Sequence, residues 1–560
     1  MKKEVIRTVK DALEGLKVGW GVENLPEIEV EIPKNESHGD VATNVAMNLA
    51  RPLKKAPKKI AEDILIKIRE APGPFEKIEI AGPGFINFTY KKEYYIKRLE
   101  ELLQKGHDFF RIDLGKGSRV QIEYVSANPT GPLHIGHGRG AAVGNALCNL
   151  LSSAGYSVES EFYVNDAGMQ VKLLGLSVYT IYQQMLGNDM PFPENGYKGD
   201  YVKDISIEIN DKAGNKYLNK PFKECEEVFA GFAYKKMLAN ISHDLREFGI
   251  GFDRWQSEKE LYDKGAVNNA LERLKEKDLA YETDGALWFK STDFGDDKDR
   301  VVVKKDGEFT YFASDIAYHK EKLDRGFDTI IDIWGADHHG YIPRIRSVLR
   351  AFGLPEENFK VILVQIVSLL RDGQPVQMSK RSGEFITLRE VMDEVGADIA
   401  KFIFLTRRSD SHLDFDIETA KRESSENPVF YVQYAFARIS SIFRQAEKTG
   451  QRAEGKGQNE NETMFIPDLS VLGEDDEISL IKKLLRYSMI FEGAVLSYEP
   501  HRITFYLQEL AGQFHSYYNR HRVISDDKAL TSARLSLCRA VQIVLEEGLM
   551  ILGVNTPERM

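Results

Sequence analysis

Cysteine is scarce in this chain: Cys148, Cys225 and Cys538 are the only three in 560 residues. Widely spaced and without a C-x-x-C pair, they exclude a disulfide framework and a cysteine-based zinc site, and they point to a reducing, cytoplasmic compartment. Their expected role is packing. Long apolar runs are missing as well, so neither a transmembrane span nor a membrane partner is expected. The start, MKKEVIRTVKDALEGL, lacks the unbroken apolar stretch of a secretory leader, and Val5, Ile6, Val9, Leu13 and Leu16 fall instead on one helical face. No G-x-x-x-x-G-K-[ST] occurs, which excludes a Walker-type ATPase. Basic charge is in deficit, with a formal net charge of −11. Phosphate affinity follows local potential rather than the sum, so an anionic partner requires basic patches. One is present at residues 51–59, RPLKKAPKK, which a solvated loop and a nucleic-acid contact explain equally well.

The densest chemistry lies at residues 127–147, ANPTGPLHIGHGRGAAVGNAL. Before it, Val120, Ile122 and Tyr124 alternate with Gln121 and Glu123 as a strand does. After it, Ala142, Val143, Ala146, Leu147, Leu150 and Leu151 recur at helical spacing until Gly155, an expected C′ residue, and residues 158–164 read as a second strand. Strand, loop, helix and strand make a βαβ crossover, whose ligand crevice lies at the carboxyl ends of the strands. The helix start offers unpaired N–H groups and a positive dipole end, both of which attract phosphate. His134 and His137 are spaced to share a face and to donate to the same oxygens. A dinucleotide fingerprint fits poorly, because Gly138, Gly140 and Gly144 stand well beyond the strand end and the histidines would have no task. A histidine that merely satisfies its own loop would account for one of them, not for an HxGH pair between a strand and a helix.

The matching partner is a mobile cation that meets the phosphates from the other side. Residues 371–383, RDGQPVQMSKRSG, supply Lys380, a compact charge on a long stem that can follow departing pyrophosphate. HIGH followed by MSKRS resembles the signature pair of class I aminoacyl-tRNA synthetases, HIGH and KMSKS. The resemblance extends over nearly the whole chain to the bacterial-type arginyl-tRNA synthetase family. It is carried by SHGDVATNVAMNLAR (37–51), IAGPGFINF (80–88), SANPTGPLHIGHGRGAAVG, YVNDAGMQ (163–170), GALWFKSTDFGDDKDRV, WGADHHGYI (334–342), MSKRSG, ENPVFYVQYAFARI (426–439) and a C-terminal PERM. One departure is Gln377 in place of the first KMSKS lysine, with Arg381 where the pattern has a serine or threonine.

The resemblance implies ligation of L-arginine to its tRNA through arginyl-adenylate, with ATP and its Mg2+ and no structural zinc. It implies catalytic roles for His134, His137 and Lys380, and ATP contacts at Pro129, Gly131, Leu133, Gly136, Gly138, Gly335, Asp337, His338, Met378 and Ser379. GADHH is then placed beside the adenosine. A metal reading of Asp337, His338 and His339 fails separately if they continue a strand, since neighbours there point to opposite faces. For arginine itself, a guanidinium offers five donors in a planar fork and calls for carboxylates. Glu123 on the first strand and Asp315, expected where the strand FTYF ends at Tyr311 and yields to a helix, are the two acids near the crevice. Asp315 could equally serve the helix start through its dipole. The resemblance assigns Glu123, Ser126, Asn128, Tyr311, Asp315 and His339 to the amino acid.

At this length the chain divides into three or four domains. The expected fold is α/β and multidomain. An α+β N-terminal domain, 1–115, is followed by a Rossmann-like parallel-sheet catalytic domain, 118–385, with a mostly helical insertion at about 188–285. ALWFK, RVVVKK and FTYF are expected to resume the sheet after it. A connective region, 386–425, leads to an α-helical bundle, 426–560, with Leu480, Ile481, Leu484, Leu485, Met489 and Ile490 at helical spacing, and Leu535, Val541, Val544, Leu545 and Leu552 likewise. Residues 451–463, QRAEGKGQNENET, read as a polar loop. The resemblance makes the bundle an anticodon-binding domain and sets the N-terminal domain against the tRNA elbow. Tyr431, Tyr434 and Arg438 are candidates to stack on unpaired bases, and Lys54, Lys55, Lys58 and Lys59 to meet phosphates. A monomer is expected. The alternatives are another class I synthetase, an HxGH nucleotidyltransferase, which would not need the insertion and bundle, and a non-catalytic RNA-binding relative, which would not need both histidines and Lys380.

Overall fold

The computed structural model describes residues 1–376, 386–448 and 467–560. Its centre is a five-stranded sheet. The strands in chain order are β1 (Arg119–Glu123), β2 (Ser157–Val164), β3 (Arg254–Ser257), β4 (Thr329–Gly335) and β5 (Phe359–Val364). They pair in the order β5-β4-β1-β2-β3, all parallel. The chain runs outward from β1 through β2 to β3, then returns to the other side for β4 and β5. Strand order therefore reverses between β1 and β4, and a ligand crevice opens at their carboxyl ends. The helix Ile135–Ser153, here the HIGH helix, packs Ala142, Ala146, Leu147 and Leu150 into the core, and Gly155 follows it at φ +85° as expected. Its approach to the sheet is close: a Cβ at Gly144 would lie 2.2 Å from the ring of Tyr124.

Three local expectations are corrected. Between β2 and β3 the chain makes the helices Met169–Met185, Asp200–Ala213 and Phe222–Glu247, which bury a core of their own around Leu174, Tyr182, Ile205 and Phe229. The helical excursion thus starts before 188, and β3 returns to the parallel sheet inside the expected insertion 188–285. A four-residue edge strand, RWQS, carries no apolar run to announce it. ALWF and RVVV do not resume the parallel sheet: with Ala280–Thr283 they form a separate antiparallel sheet. Asp284 and Gly285 both take positive φ, the Asp-Gly turn that folds such strands back on each other. FTYF is not a strand, because Thr310 caps and Tyr311 opens the helix Tyr311–Asp324. Phe312, Ala313, Ile316 and Ala317 are buried at helical spacing, and this packing overrides the β preference of the aromatic residues.

A small sheet follows the parallel sheet: β6 (Val367–Arg371) pairs antiparallel with β7 (Gln374–Pro375) and parallel with β8 (Leu413–Asp416). The C-terminal helices Pro428–Lys448, Asp475–Ser497, His501–Arg520 and Lys528–Ile551 pack as a bundle. The expected loop 451–463 lies outside the described residues. The N-terminal region combines the helices Lys2–Trp20, Pro57–Ile68 and Lys92–Lys105 with an antiparallel sheet in which Phe85–Tyr90 is central. It is seated on the bundle through Lys2–Glu492 at 2.7 Å, Lys482–Asp40 at 3.1 Å and the rings of Phe110 and Tyr487 at 4.9 Å.

Candidate active site

The two histidines stand at the start of the helix that follows β1, where the strand order reverses. His134 is the N-cap of the HIGH helix: its Nδ1 accepts from Gly136 N at 3.1 Å, and His137 Nδ1 accepts from His134 N at 3.2 Å. A capping box usually built from Ser or Thr with Glu is built here from two imidazoles. With Nδ1 accepting in both rings, Nε2 is the nitrogen left to donate outward. The rings stack with centroids 3.7 Å apart and planes 21° from parallel, so both donors are carried on one side of the helix start.

The chain leaving β1 is strained, with Val125 at φ +68° and Ser126 at φ +40°. Such backbone persists only where its surroundings overdetermine it, and it concentrates at functional sites. Ser126 Oγ donates to Glu123 Oε1 at 2.9 Å and accepts from Tyr163 N at 3.1 Å. Of the expected ATP-side residues in this loop, Pro129, Leu133 and Gly138 are buried and Gly131 and Gly136 half-buried. Tyr201 of the helical excursion closes on the loop, donating to Thr130 O at 2.8 Å.

Behind Glu123 lies a buried ionic network that the sequence did not reveal. Glu123 and Asp332 are neighbours in register on β1 and β4, and Lys322 donates to both, at 2.6 Å and 2.8 Å. Burial alone would lower Lys322 and raise Asp332, but their mutual attraction, helped by Glu123 and by His319, reverses both shifts: Lys322 is raised and Asp332 held well below the usual carboxylate range. His319 meets Asp332 at 3.1 Å, and Tyr318 donates to Glu161 at 2.7 Å. All three partners sit on the helix Tyr311–Asp324, so the network locks that helix to the sheet.

Asp315 projects from the same helix, in its second turn rather than at its start, which removes the helix-dipole reading. Tyr341 donates its hydroxyl to Asp315 Oδ2. Burial raises the Asp315 carboxyl above its ordinary value, with Glu123 and Asp332 adding to the shift and the Tyr341 bond and His319 opposing it. Glu258 is buried as well, and its carboxyl is raised by burial, with the charge of Asp315 adding to the shift. Tyr311 lies one turn before Asp315 and is 69% exposed, and Asn128 is exposed as well. At the end of β4, Gly335 caps the 3-10 helix Ala336–Tyr341. Asp337, His338 and His339 are exposed on it and do not continue the strand. Among the described residues no group of three or more His, Cys, Asp or Glu is placed to hold a metal.

Lys380, Met378 and Ser379 lie outside the described residues, as do Gln377 and Arg381. The chain on their far side is tied to the HIGH loop, with Leu388 N donating to Leu133 O at 2.7 Å and Thr387 bridging His134.

The remaining candidates lie apart. Lys54, Lys55, Lys58 and Lys59 are exposed, but they do not form one loop: Lys54 is left-handed at φ +50°, and Pro57 opens the helix that carries Lys58 and Lys59. Tyr431, Tyr434 and Arg438 line a cavity of about 910 Å³ in the bundle. Arg438 lies 4.5 Å over the Tyr434 ring and donates to its hydroxyl at 3.0 Å, and His515, which the sequence did not single out, lies 5.7 Å from Tyr434.

Nucleotide-binding topology, a histidine-capped helix at the switch point and a following helical bundle define a class I aminoacyl-tRNA synthetase. Comparison with known proteins narrows this. Family models match as "Arginyl tRNA synthetase N terminal domain" over residues 3–90, "tRNA synthetases class I (R), catalytic domain" over 98–411 and "DALR anticodon binding domain" over 432–560. The chain is 52% identical to the arginine–tRNA ligase of Geobacter sp. (strain M21) over 96% of its own length and 95% of the relative's. It is 45% identical to that of Bacillus licheniformis, over 100% and 99%. The Thermus thermophilus arginyl-tRNA synthetase structure shares the fold, with a TM-score of 0.77 at 20% identity over 100% of both chains. The chain belongs to the arginine–tRNA ligase family.

Proposed function

We infer that the protein joins L-arginine to tRNA in two steps. The arginine carboxylate attacks the α-phosphorus of ATP, giving arginyl-adenylate and pyrophosphate; a terminal ribose hydroxyl of tRNA, the 2′ one by class I analogy, then takes the arginyl group and releases AMP. The observation that carries this reading is the stacked His134–His137 pair at the N-terminus of the helix that follows β1. Neutral Nε2–H donors and helix N–H groups stabilise charge that grows on the phosphates, and neither histidine is a nucleophile. Lys380 meets the departing pyrophosphate.

On the arginine side, Asp315 takes the guanidinium, with Glu123, Ser126, Asn128, Tyr311 and His339 around the amino acid. Pro129, Gly131, Leu133, Gly136, Gly138, Gly335, Asp337 and His338, with Met378 and Ser379, line the nucleotide side. The Mg2+ arrives with ATP. The cavity at Tyr431, Tyr434 and Arg438 receives an unpaired base by stacking, and the lysine patch meets tRNA phosphates. The protein acts as a cytoplasmic monomer. No described helix is long and apolar enough to cross a membrane. The deciding experiment is aminoacylation of bulk tRNA with each amino acid in turn: charging with arginine alone is expected, and charging with none, or with a different one, overturns the reading.

A further inference from the structure

Arg139 is the fifth residue of the HIGH helix, two beyond His137, and its side chain is fully buried. Its hydrogen bonds run to main-chain oxygens: Nη1 donates to Gln365 O at 2.9 Å and Ser411 O at 2.8 Å, and Nη2 to Arg408 O at 2.8 Å. With carbonyls rather than a carboxylate as direct partners, burial lowers the guanidinium to about 10, the nearby charge of Asp410 opposing the shift. Burying a cation is costly, and an apolar side chain of similar length would fill the space without that cost. What an apolar chain cannot do is reach three acceptors on two separate segments, which a planar fork does.

Those two segments have a common destination. Gln365 directly follows β5 and leads into β6, while 408–411 leads into β8, and Gln365 N donates to Ser409 O at 2.8 Å. β6 pairs with β8 on one side and with β7 on the other, and β7 ends at Pro375. The guanidinium therefore sits where the parallel sheet hands over to the small sheet, and it fastens that crossing to the helix whose N-terminus carries the histidines.

We propose that Arg139 is a positioning residue for adenylate formation, holding β6–β8 at a set distance from the His134–His137 donors. The proposal rests on the two-step reading above. Arg139 touches no substrate. It acts by keeping two rigid pieces in register, and a misplacement of about 1 Å between groups that share a transition state can cost about 10²-fold in rate.

The test uses the full chain with Arg139→Met and Arg139→Lys. Single-turnover adenylate formation is measured at saturating ATP and tRNA with active sites counted by the pyrophosphate burst, alongside equilibrium arginine binding and amide hydrogen exchange. Arg139→Met is expected to lower the rate constant per active site by about 10²-fold while arginine affinity stays as in the parent. Lysine, with three donors, is expected to restore part of that rate. In the lysine variant, faster exchange is expected at 367–375 and 413–416 but not in β1 or β4. A merely structural arginine predicts fewer active sites with an unchanged rate constant for each, and that result overturns the proposal. So does an equal loss of arginine affinity, or exchange that quickens throughout. If Arg139→Met does not fold, the lysine variant's rate and exchange pattern decide. If the parent itself makes no arginyl-adenylate, the functional reading falls, and the exchange pattern still tests the tie.

Discussion

Tyr341, at the end of the 3-10 helix that follows β4, donates its hydroxyl to Asp315, the acid proposed to take the guanidinium. Burial raises the Asp315 carboxyl, and that bond opposes the rise. The role proposed for Asp315 needs the carboxylate. With a raised value, affinity is complete above it and lost as pH falls through it, earlier than for an ordinary aspartate near ~3.9. The KM for arginine should therefore climb on acidification, and Tyr341→Phe should move the climb to higher pH. Superimposable pH profiles for parent and variant would disprove the coupling.

Asp315→Asn keeps the size but removes the charge and adds an amide donor facing the guanidinium. Loss of one partner in a buried charge pair costs about 2–5 kcal/mol, or roughly 30-fold to several-thousand-fold in arginine affinity. Neutral citrulline should lose far less. Calorimetric titration of both ligands on a variant with unchanged melting temperature checks this, and near-parental arginine affinity would remove Asp315 from the site.

His137→Ala deletes one of two stacked donors and half of the imidazole capping box. Adenylate formation should slow by about 10²–10³-fold, with arginine affinity little changed. The measurement is single-turnover at saturating ATP and tRNA. An undiminished rate would reassign His137 to helix capping alone.

Lys322→Met leaves Glu123 and Asp332 side by side and buried without the cation they share, with only Ser126 on Glu123 and His319 on Asp332. Breaking such a set by removing one partner costs about 3–5 kcal/mol. The sign with pH follows from Asp332: its folded value is depressed, so its stabilisation is full above the ordinary carboxylate range and fades as pH falls through the depressed value. Without Lys322, burial pushes the Asp332 carboxyl up instead, so the stability gap between parent and variant should be widest near neutral pH and narrow as pH falls through the carboxylate range. Thermal melts from neutral to acid pH provide the readout, and coincident curves would refute the network's role.

The lysine patch makes a separate prediction. Replacing Lys54, Lys55, Lys58 and Lys59 by alanine should weaken tRNA binding and flatten its salt dependence, each lost phosphate contact removing somewhat under ~1 from the log–log slope. Lys59 already meets Glu62 at 3.1 Å and Lys55 meets Asp63 at 3.7 Å, exposed pairs weak enough to yield to phosphate. An unaltered slope would make the patch an ordinary solvated face.

The βαβ unit, the histidine-led helix and the helical bundle were legible in the sequence because each is specified locally, by apolar period, by glycine placement or by a capping residue. His134 and His137 needed only the helix that begins between them. Lys322 could not be read the same way. In DIAYHKEKLDRG it resembles any surface lysine, and only the helix's burial against β1 and β4 turns it inward between two acids. β3 and the three-stranded sheet at 280–303 were misplaced for a related reason, since a short strand takes its identity from the neighbour it pairs with. Arg139 shows the division most sharply: the chain presents one more basic residue after HIGH, and its meaning depends on carbonyls of residues 365, 408 and 411, far along the sequence. Sequence alone determines what neighbours within a turn or two can enforce on each other; long-range pairing, and the desolvation that makes a charge costly unless it is answered, are decided only in the tertiary structure.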